Sequence, residues 1–310
     1  MQDFVALGPQ FRAPTLRDEL SRAGFTGPVA AITAGWQERE GELDALEQHL
    51  GAPVRDLRLY TRTEAVFAQD AELHAAYRAR QGELRRLQDL YRVRLAHAKA
   101  AARELQQSQD GSPLARQALR SAITGLRRLD AGHIRDLRAL HARFERHWSA
   151  DQHPLLASQR VEIERLIEAA GVVCIAGGHV AVLLNRMRLF GLGRALRTRP
   201  VVAWSAGAMA MAESVLLFHD HPPQGAGDAE LFETGLGLVA GTVFLPHATS
   251  RLALDDPPRV ALLARRLAPA AACTLDDGDS LRWQRGRLVA AHGSRRLLRS
   301  GRTTLAGTGP

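Results

Sequence analysis

Hydrophobic and polar positions follow two alternating patterns in the first 62 residues. Continuous apolar runs predict short buried strands at 4–8, 28–35 and 54–60. Between them, apolar residues recur at helical spacing and predict helices over 15–23 and 38–50. Gly51 follows the second helix and suits its C-terminal cap. Strands that alternate with helices are typical of a parallel sheet.

A different pattern fills the middle of the chain. Glycine and proline become rare between 63 and 149, and leucines recur mostly at steps of three and four residues. The pattern breaks at 108–113 and then resumes, with Ser112 as a candidate N-cap and Pro113 in the first turn of the new helix. This stretch therefore predicts two long helices that form an antiparallel hairpin.

The α/β pattern returns after residue 158. It predicts strands at 172–176, 200–204 and 238–245, helices at 161–169, 180–190 and 206–217, and paired strands over 272–298 with turns at 277–278 and 285–286. The predicted fold is therefore a three-layer α/β sandwich with a mainly parallel sheet. We expect it to form from 1–62 together with 158–310, interrupted by the helical hairpin over 63–157.

A tight strand-to-helix turn carries the clearest chemistry. Ser205 stands between Ala203 and Gly207, directly after an apolar run and before a predicted helix. Small residues two positions either side of a serine let the strand and the helix approach closely, as in a nucleophile elbow. The alternative is a tight turn with a capping serine.

Two further features accompany the elbow. Gly177 and Gly178 end the preceding strand, where the Gly178 N–H and the Ala206 N–H could form an oxyanion hole beside Ser205. His247 ends a later apolar run and could act as the general base. Together they predict a serine hydrolase.

These residues resemble the cyanophycinase and aspartyl dipeptidase (peptidase E) family of serine peptidases. The resemblance rests on the Trp-Ser-Ala-Gly-Ala turn at 204–208, the upstream glycine pair, and Gly-Leu-Gly-Leu at 235–238 leading to His247. Residues 33–35 and 274–281 also resemble family segments, so the resemblance covers about 1–62 and 158–298. It implies a fold similar to class I glutamine amidotransferases and hydrolysis of a peptide or small amide without a cofactor.

The resemblance also implies residue roles. Ser205 would be the nucleophile and His247 the base, with Asp220 as the third catalytic residue and Glu213 as its fallback. A carboxylate in that role would orient the imidazole and stabilise its protonated form. A metal is not expected, because His219 and His221 beside Asp220 have no second ligand cluster.

The substrate-binding positions depart from the family pattern. His179 follows the glycine pair where Asn or Asp is usual, and Ala248 replaces an aromatic residue after the catalytic histidine. Of a run of substrate-binding arginines, only Arg251 has a counterpart. We expect Gly177, His179 and Arg251 to bind substrate, without a preference for aspartyl peptides. These departures favour one alternative, a catalytically degenerate protein that acts as a binding or scaffold module. A second alternative is an enzyme of another fold, an α/β-hydrolase esterase.

Composition and charge restrict the partners and the cellular location that we expect. The net charge is +8, and 61–150 carries 17 basic and 10 acidic side chains, so the excess lies in the predicted hairpin. Sparse aromatic residues and the absence of a recognised motif there make nucleic-acid binding an unfavoured function. The chain has only two cysteines, far apart, and shows no secretory pattern and no long apolar run. We therefore expect a cytoplasmic protein that does not enter membranes. We also expect that it comes from a bacterium.

The predicted hairpin also suggests assembly. Its helices carry apolar stripes that look too long for one α/β domain to cover. A second copy of the chain would cover them, so a homodimer through the hairpin is expected. The alternative is a monomer whose two helices cover each other. The stripe residues are Leu73, Leu84, Leu87, Leu95, Leu126, Leu137 and Leu140.

Overall fold

The computed structural model describes residues 3–108, 110–218 and 229–307. Ten α-helices lie in these ranges: α1 (Leu16–Arg22), α2 (Asp44–Leu50), α3 (Leu59–Gln69), α4 (Ala71–Gln107), α5 (Pro113–Glu145), α6 (Pro154–Glu168), α7 (Val180–Leu189), α8 (Ala206–Met211), α9 (Ala248–Arg251) and α10 (Pro257–Leu267). Two short 3₁₀ helices cover Ala34–Arg39 and Ala195–Arg197.

Thirteen strands lie in the same ranges. They are β1 (Phe4–Leu7), β2 (Val29–Ile32), β3 (Val54–Asp56), β4 (Val172–Ile175), β5 (Val201–Trp204), β6 (Ser214–Leu217), β7 (Glu230–Thr234), β8 (Thr242–Pro246), β9 (Ala271–Leu275), β10 (Ser280–Gln284), β11 (Arg287–His292), β12 (Arg295–Leu297) and β13 (Thr303–Leu305).

The central sheet has seven strands in the order β11-β10-β1-β5-β4-β2-β3. The five strands from β1 to β3 in this order are parallel, and β10 and β11 add an antiparallel edge. A second sheet, β13-β12-β9-β8, pairs β8 with β9 in parallel, and β6 pairs with β7 separately. The predicted α/β class with a mainly parallel central sheet is confirmed.

Helices cover both faces of the central sheet because its strands are apolar on both sides. Val5 and Leu7 point to the face covered by α1 and α2, whereas Phe4 and Ala6 join the larger core on the other face. Such two-sided burial explains why the strands read as continuous apolar runs rather than as alternating ones.

Helices α4 and α5 pack against each other in antiparallel fashion. Arg143 binds Glu83, and Tyr91 donates to Asp130 at 2.7 Å. Ser112 accepts a hydrogen bond from the Ala115 N–H and caps α5, as predicted. None of the described helices has the length and apolar character needed to cross a membrane.

The apolar stripes of these helices are covered within one chain. Leu73, Leu84, Leu95, Leu126 and Leu137 are buried against each other and the α/β core. Leu87 and Leu140 are partly buried against the same core. These seven leucines are therefore covered within one chain and give no support to a homodimer, which stays a prediction.

The predicted helix over 206–217 is wrong in its second half. α8 ends at Met211, Ala212 is extended, and Ser214–Leu217 forms β6. β6 finds a partner strand in β7, and the Gly235 N–H donates to the Glu213 carbonyl at 3.1 Å. The apolar pattern over 212–217 is compatible with a helix or a strand, and pairing with β7 selects the strand.

The predicted third strand over 54–60 ends early. Asp56 accepts a hydrogen bond from the Arg58 N–H at 2.9 Å, and Arg58 adopts a left-handed conformation. The chain then enters α3, whose first N–H groups at Tyr60 and Thr61 donate to buried Glu40 at 2.8 and 2.7 Å. A carboxylate twenty residues away therefore starts this helix, which a local pattern cannot reveal.

Other boundaries also differ. The predicted helix over 38–50 is divided, because Gly41 has φ of 91° and α2 begins only at Asp44. α6 starts at Pro154, before the predicted 161. β10 and β11 pair across 285–286 as predicted, whereas β9 and β10 enter different sheets at 277–278.

Candidate active site

Ser205 occupies a strained turn between β5 and α8. Its φ of 48° and ψ of −121° lie in a region that side chains rarely adopt. A Cβ on Gly207 would lie 2.3 Å from the carbonyl oxygen of Ile175, so only glycine lets α8 approach β4 this closely. The predicted elbow geometry is present, and the serine is half-buried at the carboxyl edge of the sheet.

The glycine pair lies directly beside this serine. A Cβ on Gly177 would be 3.0 Å from the Ser205 Cβ, and a Cβ on Gly178 would be 2.4 Å from the Gly35 carbonyl oxygen. Gly178 also has φ of 108°. Within the described chain, neither the Gly178 N–H nor the Ala206 N–H donates to a protein acceptor. The predicted oxyanion hole requires that both N–H groups stay unengaged in this way.

His247 follows β8 in a left-handed conformation, with φ of 57°. Its N–H donates to the carbonyl of Leu275 at the end of β9, at 3.1 Å. β8 and β9 are parallel, so His247 and the residues after Leu275 lie at the same end of the second sheet.

The two sheets meet at Gly8. The Ser205 N–H donates to the Leu7 carbonyl at 3.2 Å, which places Gly8 beside the elbow. On its other side, Gly8 lies against Asp276, the residue after Leu275, and its N–H donates to the backbone carbonyl of Asp279 at 2.9 Å. This chain of backbone contacts brings the elbow and the His247 strand end to one edge of the molecule.

Burial lowers the pKa of the His247 imidazole below its ordinary value. The positive charge of Arg251 lowers it further, as does Arg12, whereas the negative charges of Asp277 and Asp276 oppose them. A lowered pKa favours the neutral imidazole at neutral pH, which is the form that can accept a proton.

The structure places the two candidate carboxylates differently. Asp220 lies outside the described residues. Glu213 accepts a hydrogen bond from the Gly241 N–H at 2.9 Å, at the start of β8. His247 follows the other end of β8, about 20 Å away at the rise of an extended strand. The fallback assignment of Glu213 as the carboxylate partner of His247 is therefore wrong.

Sequence reasoning missed the carboxylates that do act on His247. Asp276 accepts from both the N–H and the hydroxyl of Thr249, at 3.0 and 2.7 Å, while Asp277 is exposed. Both follow β9 at the edge where His247 follows β8. Two acidic residues after an apolar strand could have indicated this, had the pairing of β8 with β9 been known.

The predicted substrate-binding residues follow two different strands, β4 and β8. His179 accepts a hydrogen bond from the Val182 N–H at 3.4 Å and so caps α7, while its side chain is exposed. Arg251 ends α9, close enough for its charge to act on His247. Gly177 borders Ser205 directly. Gly177 and His179 thus lie on the elbow side, and Arg251 follows His247 in α9; their binding of substrate stays a prediction.

A cavity of about 610 Å³ adjoins His179. It lies between α4, α7 and β7, and its polar lining includes several amides and arginines. Sequence analysis assigned no site role to α4, because no local pattern shows that this helix borders α7. The lining residues are Tyr77, Gln81, Leu84, Arg85, Gln88, Asp89, Arg92, Leu137, His179, Ala181, Val182, Asn185, Arg186, Phe232 and Glu233.

A buried ionic cluster fixes the far wall of this cavity. Glu233 binds His141 at 3.0 Å and Arg188 at 3.2 Å. Although burial raises the pKa of Glu233, these partners lower it to about 2. The cluster joins α5, α7 and β7, so it ties the second helix of the pair to the wall beside His179. In the described ranges, no group of three or more His, Cys, Asp or Glu side chains is placed to hold a metal ion.

Comparison with known proteins gives one family. The sequence model of peptidase family S51 matches residues 131–290, a stretch that contains both Ser205 and His247. A similar solved structure, titled as a peptidase from an acI-B1 Actinobacterium, has 13% sequence identity and a TM-score of 0.47. The alignment covers 99% of this chain and 95% of that chain. No curated protein matches the chain.

Proposed function

This chain belongs to peptidase family S51, and we propose that it is a serine peptidase in which Ser205 and His247 carry the reaction. The observation that carries the proposal is the position of Ser205, held at φ of 48° between a glycine pair and the strand end that presents His247. Strained backbone at a serine with free N–H groups beside it suits nucleophilic attack rather than simple capping.

In the proposed mechanism, His247 accepts the Ser205 hydroxyl proton as Oγ attacks the carbonyl carbon of a peptide or small amide. The carbonyl oxygen becomes an anion and accepts hydrogen bonds from the Gly178 and Ala206 N–H groups. One such donor is worth about 10²–10³ in rate. His247 then protonates the leaving nitrogen, and water hydrolyses the acyl-enzyme.

The lowered pKa of His247 supports its role as a base. A lowered pKa favours the neutral imidazole, whose unprotonated ring nitrogen can accept the proton of Ser205. Asp220 remains the proposed third catalytic residue, on the family resemblance. Asp277 is a second candidate for stabilising the imidazolium, because its charge raises the pKa of His247.

We propose that the substrate lies along the edge that holds Gly177, His179 and Arg251. The cavity is lined by His179, the residue after the glycine pair, and we assign it to the acyl part of the substrate. Its wall comes partly from α4, which would give the proposed insertion over 63–157 a role in substrate binding. The catalytically degenerate alternative has no observation in its favour at the elbow or at His247.

A cleavage assay tests the proposal. The wild type is incubated with a mixture of short peptides, and products are identified by mass spectrometry. We expect defined cleavage products from the wild type and none from Ser205→Ala at equal concentration. Equal cleavage by both proteins would overturn the proposal.

A further inference from the structure

The strand order places a different loop on each side of Ser205. β5 lies between β4 and β1 in the central sheet. The loop after β4 holds the glycine pair, and the loop after β1 covers residues 8–15. A substrate whose carbonyl oxygen faces the Gly178 N–H must therefore extend its other part toward the loop over 8–15.

His247 lies on the β1 side of the serine. Gly8 contacts Asp276, and Asp276 follows Leu275, which accepts the His247 N–H. During acyl transfer the base gives its proton to the leaving nitrogen, so the leaving group lies next to the base. The loop over 8–15 consequently faces the leaving group rather than the acyl group.

This loop is held in place by the side chain of Gln10. Its Oε1 accepts from the N–H groups of Thr15 and Leu16, each at 2.8 Å. Its Nε2 donates to the Gly8 carbonyl at 3.0 Å. The amide thus joins both ends of the loop, and Phe11, Arg12 and Pro14 between them are exposed.

Phe11 and Arg12 occupy the anchored loop. Phe11 is 96% exposed, the highest value among the large hydrophobic side chains exposed in the described chain. Arg12 is also exposed and forms no ion pair with any described residue. The loop begins at Gly8, which contacts Asp276 beside the His247 strand end, and the positive charge of Arg12 lowers the pKa of His247. An aromatic ring and a cation without an ion-pair partner among the described residues therefore lie together in the loop on the leaving-group side.

We infer that Phe11 and Arg12 form a subsite for the leaving residue of a peptide. Phe11 packs against an apolar side chain, and Arg12 binds a free C-terminal carboxylate. The substrate class is a peptide that ends in an apolar amino acid.

The reaction at this subsite releases one C-terminal amino acid. The bond between Ser205 Oγ and the carbonyl carbon forms, the C–N bond breaks, and His247 delivers its proton to the leaving nitrogen. Water then cleaves the ester and leaves a shortened peptide acid. The inference rests on the proposed function, because it assumes that Ser205 and His247 carry out acyl transfer.

Two peptide pools test the subsite. Both are randomised on the acyl side, and one ends in Phe while the other ends in Gly, each as free acid and as C-terminal amide. Release of the last residue is quantified by chromatography. We expect the wild type to prefer Phe over Gly and acid over amide.

The variants separate the two contributions. Phe11→Ala should reduce the Phe-over-Gly ratio of kcat/KM about tenfold, mainly through KM. Arg12→Gln should remove the preference for acid over amide. Leu114→Ala, at another exposed apolar position distant in the fold on α5, should behave as the wild type.

The outcomes distinguish the inference from the proposed function. Unchanged ratios in both variants, or a wild type that cleaves peptides without releasing a C-terminal residue, would overturn the subsite alone. A wild type that cleaves no peptide and whose Ser205 does not react with a fluorophosphonate would overturn the proposed function and the subsite with it.

Discussion

Gly8 lies so close to Asp276 that a Cβ on the glycine would come within 1.8 Å of the aspartate carbonyl oxygen. This contact joins the end of β1, beside Ser205, to the end of β9, beside His247. The two proposed catalytic residues come from different sheets, so their alignment depends on this junction.

Gly8→Ala should therefore disturb both the fold and the site. The added methyl must displace either β1 or the turn after β9, and overpacking of this kind costs about 1–3 kcal/mol. We expect a lower free energy of unfolding and slower fluorophosphonate labelling of Ser205. Gly82→Ala is the matched control, since Gly82 is within α4 with open space around it. That variant should gain about 1 kcal/mol. Wild-type stability and labelling in Gly8→Ala would show that the junction is unimportant.

The charges around His247 should control the pH dependence of Ser205. Arg251 lowers the pKa of His247 and Asp277 raises it. Arg251→Gln should raise this pKa and slow labelling at pH 6, while rates converge above pH 8, where the imidazole is neutral in every variant. Asp277→Asn should have the opposite effect at pH 6. A shift of both variants in the same direction would contradict the electrostatic account.

Asp279 should make stability depend on pH. Burial raises its pKa from 3.8 to about 6, although the Asp276 N–H donates to its carboxylate at 2.8 Å. The folded protein therefore holds this proton more tightly than the unfolded chain. Its contribution is fully present below about pH 4 and is lost as the pH rises through about 6.

Asp279→Asn removes this titration. Between pH 4 and pH 7 the variant should gain up to about 3 kcal/mol relative to the wild type, because two pKa units correspond to that free energy. Urea unfolding at several pH values measures the difference. A difference that stays constant across this range would mean that Asp279 does not titrate as described.

The ion pair between Asp130 and Arg266 should be essential for attaching the helical pair. Both side chains are buried, and Asp130 accepts from Arg266 at 2.7 and 2.9 Å and from Tyr91 at 2.7 Å. Asp130→Ala leaves a buried guanidinium unpaired and should cost about 3–5 kcal/mol. Tyr91→Phe keeps the ion pair and should cost about 1–2 kcal/mol.

An exposed acidic residue on the same helix serves as the control. Asp136 forms a surface pair with Arg135 at 3.7 Å, so Asp136→Ala should cost less than about 1 kcal/mol. The measurement is denaturant unfolding of all three variants. Equal losses for Asp130→Ala and Asp136→Ala would contradict the assigned role of the buried pair.

Sequence reasoning succeeded where the cause is local. The elbow at Ser205 depends on neighbours within two residues, and the cap at Ser112 depends on an N–H three residues ahead. The position of His247 after a strand follows from an apolar run. In each case the residues that determine the geometry are adjacent in the sequence.

It failed where the cause is distant. The end of α8 depends on the pairing of β6 with β7, and the start of α3 depends on Glu40. The approach of Asp276 to the elbow depends on Gly8, which lies in a different sheet. Contacts between residues far apart in the sequence leave no periodic pattern of residue types, so only the tertiary structure reveals them.

The central claim is that Ser205 is the nucleophile, and covalent labelling tests it most directly. The wild type and two variants are treated with a fluorophosphonate at pH 7.5, and the modified peptide is identified by mass spectrometry. The account predicts one adduct, on Ser205, in the wild type and in Ser250→Ala. Ser250 is the control because its wild-type hydroxyl donates to the His247 carbonyl at 3.1 Å. It predicts no adduct in Ser205→Ala. An adduct on another serine, or equal labelling of Ser205→Ala and the wild type, would contradict it.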